Sequence, residues 1–120
     1  MLESEKPYDA DLWKGVAEMG WLGATVPEEF GGAGLGYLEL VLIAEELGRA
    51  LAPIPFSSSV YLATEALLIA GSAEQKQKYL PQLCSGELIG ALAVAEGPGD
   101  LEGDALATTY ADGRLDGEKL

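Results

Sequence analysis

Few residues in this sequence could do chemistry. Gly32-Ala33-Gly34-Leu35-Gly36, set before a helix, has the composition of a phosphate cradle, in which backbone N–H groups at a helix N-terminus hold an anion. The dinucleotide fingerprint needs a preceding strand and G-x-G-x-x-G spacing. Here the spacing is G-x-G-x-G, and a helix and Pro27 come before it. A loop reversing the chain between helices fits better, because glycine admits backbone angles that other residues avoid. Glu28-Glu29 and Glu45-Glu46 are adjacent acids. Helix neighbours point in different directions, so they form no matched acid/base pair and read as solvated surface. Ser57-Ser58-Ser59 has no base to activate it, since the chain has no histidine. It reads as a helix start or, more sharply, as small polar lining for a ligand tunnel. Cys84, the single cysteine, likewise lacks a histidine partner and reads as a small core residue. Without histidine the commonest transition-metal ligand is missing, and no metal site is proposed.

The elements that position these residues are mostly helical. Asp9 or Asp11 caps a helix through Leu12, Trp13, Val16, Ala17 and Met19, which Gly20 stops. A short apolar connection, 21–27, and the glycine-rich loop, 28–36, follow. A second helix, about Tyr37 to Gly48, is apolar nearly all round, the pattern of a central helix with neighbours on several sides. Pro53 and Pro55 break the chain. A third helix runs from the serines to Ala70. Ser72-Ala73-Glu74-Gln75 is a capping box for a fourth, which Pro81 bends or restarts and Gly86 closes.

After Gly86 the pattern changes. Leu88–Ala95 is a short apolar run suited to a buried strand. Gly97-Pro98-Gly99-Asp100 is a loop, 106–110 a second strand, Ala111-Asp112-Gly113 a turn, and Arg114 the start of a third strand. Two or three strands without a covering layer are barely stable, and their edges invite pairing. The expectation is a mainly α chain: a helical domain over 1–87, then the truncated start of a β domain over 88–120.

Composition narrows the function classes. With 48% hydrophobic and 22% charged residues among 120, the chain has a globular balance. A net charge of −13, from 20 acidic and 7 basic residues, disfavours nucleic acid and anionic membrane surfaces as partners. The polar, acidic start is not a signal peptide, and no apolar run reaches transmembrane length. With one cysteine and so no internal disulfide, a cytoplasmic setting is expected.

The order of segments resembles the acyl-CoA dehydrogenases. Trp21-Leu22-Gly23-Ala24-Thr25-Val26-Pro27-Glu28-Glu29-Phe30-Gly31-Gly32-Ala33-Gly34 looks like the loop between that family's early helices, and Glu45-Glu46-Leu47-Gly48 is similar to its central helix. Ala70-Gly71-Ser72-Ala73-Glu74-Gln75-Lys76-Gln77-Lys78-Tyr79-Leu80-Pro81, followed by Ser85-Gly86-Glu87, resembles its G-[ST]-x-E-Q-K-x-x-Y-L-P stretch. The resemblance implies a flavoprotein that removes two hydrogens from the α and β carbons of an acyl-CoA thioester. FAD would lie between the middle β domain and a C-terminal helical domain. That last domain supplies the catalytic glutamate, so no catalytic residue is assigned here.

Two sites carry over by resemblance. The family's A-L-T-E-P-x-A-G-S-D, which contacts the flavin, is matched by Ala93-Val94-Ala95-Glu96-Gly97 and then Gly99-Asp100. This implies cofactor contacts at Leu92, Val94, Ala95, Glu96, Gly97 and Gly99. Ala95 stands where threonine is usual and Gly97 where proline is, and no serine precedes Asp100. Loss of the threonine hydroxyl would leave the flavin one hydrogen bond short, about 1 kcal/mol net. Phe56, Ser58 and Leu62 match a segment lining the acyl tunnel. The divergent flavin motif resembles that of members acting beside a partner subunit. Two readings stand: a fragment of a flavin-dependent dehydrogenase, inactive alone, or a degenerate homologue acting as a partner subunit in a homo- or hetero-oligomer. The acyl group and the electron-transfer partner are open.

Overall fold

The computed structural model describes residues 7–97 and 106–119. Helix α1 (Ala10–Glu18) begins where the Asp9 side chain accepts from the Leu12 amide at 3.0 Å. That bond satisfies one of the donors a helix start leaves unpaired. Gly20, at φ 76°, ends the turn in the left-handed region. The connection to α2 is more ordered than expected: 3-10 turns form at Trp21–Gly23 and Glu28–Phe30. Helix α2 spans Tyr37–Arg49.

The third helical stretch differs from expectation in type. Ser57–Thr64 is a π-helix that passes into α3 (Glu65–Ala70). Its widened turns keep positions four apart aligned, and Phe56, Val60 and Thr64 are all buried. The Ser58 hydroxyl donates to the Pro55 carbonyl at 3.2 Å, competing locally with the backbone ladder. The Ser72–Gln75 capping box opens α4 (Ala73–Cys84), with reciprocal bonds of 2.8 and 3.2 Å. Pro81 interrupts one hydrogen bond without ending the helix.

Two apolar clusters hold these helices. In the first, Trp13, Val16, Leu22, Ala24, Leu40, Phe56 and Val60 join α1, α2 and the π-helix. In the second, Val26, Leu80, Leu83 and Cys84 bring α4 against the connection. Trp13 Nε1 donates to the Gly86 carbonyl at 3.0 Å, fastening α1 to the end of α4. The expectation of neighbours on several sides of α2 is met on one face by the described residues. Leu40 is its one buried residue, while Tyr37, Leu38, Val41 and Leu42 are all more than half exposed. Its apolar character runs around the helix, but the described residues cover only one face.

The strand expectations are met in part. Thr109–Ala111 (β1) and Arg114–Asp116 (β2) form an antiparallel hairpin with Tyr110 opposite Leu115. Asp112 and Gly113, at φ 50° and 76°, make the tight turn that matches strand twist. The apolar run 88–95 is not a strand among the described residues. A strand needs a hydrogen-bonded neighbour, and β1 and β2 pair only with each other.

Candidate functional site

The glycine-rich loop is not an anion cradle, because its donors are already spent. The amides of Ala33, Gly34 and Leu35 donate to the carbonyls of Gly23, Val26 and Ala24 at 2.8–2.9 Å. The Gly36 amide donates to Glu39 at 2.9 Å. A Cβ on Gly32 would overlap the Val26 carbonyl, so glycine there permits close backbone approach. The loop is a packed chain reversal.

The segment matched to the acyl tunnel divides into inward and outward parts. Phe56 is buried, its ring edge-on to Tyr61 at 5.5 Å, and borders a cleft of about 430 Å³ with Leu47, Leu51, Ile54 and Ser57. Ser58 is half-buried and its hydroxyl is spent on Pro55. Leu62 is 45% exposed, so its outer face is open to a ligand or another element. Ser58 and Leu62 lie outside the cleft that Phe56 borders.

The segment matched to the flavin motif is anchored at both ends. At its entry, the Gly90 amide donates to the buried Ser59 hydroxyl at 3.2 Å, and a Cβ on Gly90 would overlap that of Ala63. The chain leaving α4 thus presses directly on the π-helix, and the two regions singled out from the sequence meet there. Leu92 is about half exposed, and Val94, Ala95, Glu96 and Gly97 are half-buried. Among the described residues, the backbone groups of 91–93 make no hydrogen bond. Ala95 offers no hydroxyl, and a Cβ at Gly97 would meet open space, so packing does not require glycine there. Gly99 lies outside the described residues.

Glu96 itself is occupied. Its carboxylate accepts from the amides of Ala107 and Thr108 at 2.5 and 2.9 Å, from the Thr108 hydroxyl, and from Lys119 Nζ at 2.7 Å. The Lys119 ammonium, then the Thr108 hydroxyl, hold its carboxyl down to about 2.

Several polar side chains escaped the sequence reading. Glu65 accepts from Thr25 at 3.2 Å and from the Tyr37 hydroxyl at 2.8 Å, tying the connection and α2 to α3, and this contact pushes the Tyr37 phenol up. Thr64 Oγ1 is buried without a hydrogen-bond partner among the described residues. Ser59 was visible only as one of three serines, with nothing to mark it as the buried one. Burial pushes the Cys84 thiol up to about 11, consistent with an inert core residue. No group of metal-ligating side chains forms among the described residues, and no helix of them is long and apolar enough to cross a membrane.

A helical layer closed by these two clusters, with the Ser72–Gln75 cap and a strand-forming tail, defines a class. The family model for the acyl-CoA dehydrogenase N-terminal domain matches residues 1–87. The chain belongs to the acyl-CoA dehydrogenase family, as that helical N-terminal domain plus the first strands of the β domain.

Among its relatives is a protein of Solanum tuberosum named isovaleryl-CoA dehydrogenase, mitochondrial. It is 48% identical over 92 residues, 75% of this chain and 22% of that protein. The solved acyl-CoA dehydrogenase of Bacillus anthracis, complexed with FAD, superposes with a TM-score of 0.78 at 39% identity, covering 91% of this chain and 20% of that one. The ChsE4-ChsE5 complex of Mycobacterium tuberculosis superposes with a TM-score of 0.72 at 36% identity, covering 82% and 27%. The chain spans about a fifth of the length of the first curated relatives it matches.

Proposed function

We propose that this chain forms the front part of a flavin-dependent enzyme that oxidises the α,β bond of an acyl-CoA thioester. Residues 1–87 supply one wall of the acyl site, and 88–120 begin the flavin-binding β domain. The observation that carries the reading is the join at Gly90. In a chain of this family, the segment matched to the acyl tunnel and the segment matched to the flavin motif are held together by the Ser59–Gly90 bond. FAD would supply hydride acceptance at the substrate β carbon. Leu92, Val94, Ala95 and Gly97 would offer it backbone groups and apolar contact, with Gly99 beyond them. Ser58 and Leu62 would face the acyl group, with Phe56 backing them from the core.

No residue of this chain acts as the base, and the chain is inactive by itself. A free, buried Cys84 suits a reducing compartment such as the cytoplasm. A second reading, a partner subunit without its own catalysis, is favoured by one feature, the missing hydroxyl at Ala95.

The test is to isolate the chain from its native host with whatever polypeptide accompanies it, and record the visible spectrum before and after adding acyl-CoA. The expected result is a flavin spectrum that bleaches on addition. A flavin spectrum that acyl-CoA leaves unchanged supports the partner-subunit reading. A colourless preparation contradicts the flavoenzyme reading and leaves the partner-subunit one.

A further inference from the structure

The polar contacts of Glu96 have a role that a ligand group could not fill. Both carboxylate oxygens are committed: Oε2 to the Ala107 amide, Oε1 to the Thr108 amide and hydroxyl and to Lys119. Lys119 also donates to the Val94 carbonyl at 3.2 Å, so the ammonium bridges Val94 and Glu96. The side chains of Glu96 and Lys119 are 14% and 25% exposed, and this is the ion pair most sheltered from water among the described residues. Charge-assisted bonds in a sheltered place are stronger than the surface pairs along α1 and α2. Gly117 completes the arrangement. A Cβ there would overlap the Thr108 side chain, so β2's exit leaves room for the hydroxyl that reaches Glu96.

We infer that Glu96 is a positioning residue: it ties the 92–97 segment to the β1–β2 hairpin through Ala107, Thr108 and Lys119, so that this segment presents its backbone, not its acidic side chain, to a cofactor. Its functional sense rests on the flavin reading, while the tie itself can be tested without flavin. Closing the 97–106 connection costs chain entropy, and Glu96 with Ala107 and Thr108 holds its two ends together. The residues on either side of Glu96 then keep one orientation relative to the hairpin. Lys119 is the charged group facing Glu96 among the described residues.

The experiment follows the amide protons of Ala107 and Thr108 by NMR in the full 120-residue chain. Amides bonded to a carboxylate resonate downfield, and the expected result is that both do so in the native chain at neutral pH. Glu96→Gln, which keeps the shape and removes the charge, is expected to move both upfield. Gly117→Ala leaves every charge in place and is expected to move Thr108 in the same direction. In Lys119→Met the shift is expected to persist at neutral pH and to titrate at higher pH than in the native chain. The amides of Gln75 and Leu80 in α4 report that the helical part stays folded in each variant. Amides of 107 and 108 that ignore Glu96→Gln while α4 is unchanged would overturn the inference. If the amides behave as expected but no assembly containing the chain carries flavin, the tie stands and the flavin reading falls.

Discussion

The helical part, residues 8–90, and the β part, 91–119, are built on different physics. The first is held by apolar burial: Leu22, Val26 and Leu80 are at most 1% exposed, and the clusters draw on every helix. The second buries none of its strand residues. It relies on one sheltered ion pair with its hydrogen bonds and on the anchor at Gly90. Apolar burial is non-directional and accumulates over many side chains. A polar tie is directional and fails as a unit when one member goes. The helical part can therefore hold its shape through its own core, while the hairpin, marginal by itself, gains order from Glu96.

Mutations should break along that division. Leu80→Ala removes a fully buried side chain shared by α4 and the connection, and should destabilise thermal or denaturant unfolding by roughly 2–5 kcal/mol. Leu115→Ala, on a side chain 77% exposed, should shift the same transition by less than about 0.5 kcal/mol. Equal effects would erase the distinction between the regions. Between them falls Thr64→Val, which replaces a buried hydroxyl lacking a partner with a methyl group of similar shape. It should raise stability by about 1 kcal/mol in the same unfolding assay.

The two parts also respond to opposite ends of the pH range. Cys84 has a folded-state pKa raised by burial from 9.0 to about 11. A raised value means its contribution is fully present below about 9 and is lost as pH rises towards 11. The stability of the helical part should therefore fall across that alkaline window, and Cys84→Ala should remove that component. Glu96 is depressed instead, from 4.5 to about 2, so its contribution is present above 4.5 and is lost as pH falls through 2. The β part should lose order at the acid end, where Cys84 plays no part.

How much of this could be read in the sequence follows the same division. Asp9, Ser72, Gln75, Gly20 and Gly86 act through local geometry, so their spacing gave the ends of α1 and the start and close of α4. The apolar run 88–95 misled, because composition cannot say whether a strand finds a neighbour. The apolar surround of α2 did not show that the described residues cover its Leu40 face alone. The π-helix was not legible, as it arises from Pro55, the serines and the packing of Phe56, Val60 and Thr64 together. For the candidate site, family motifs pointed to 92–97. That Glu96 turns away to Lys119, 23 residues on, needed the fold.

Native-state amide hydrogen exchange along the whole chain at neutral pH tests the central contrast most directly. The amides of Val16, Leu80 and Leu83, all inside hydrogen-bonded helical turns, should exchange only through global unfolding. Those of Tyr110 and Leu115 should exchange far faster, with Ala107 and Thr108 in between and speeding up to hairpin rates in Glu96→Gln. Protection that is uniform from Val16 to Leu115 would contradict it.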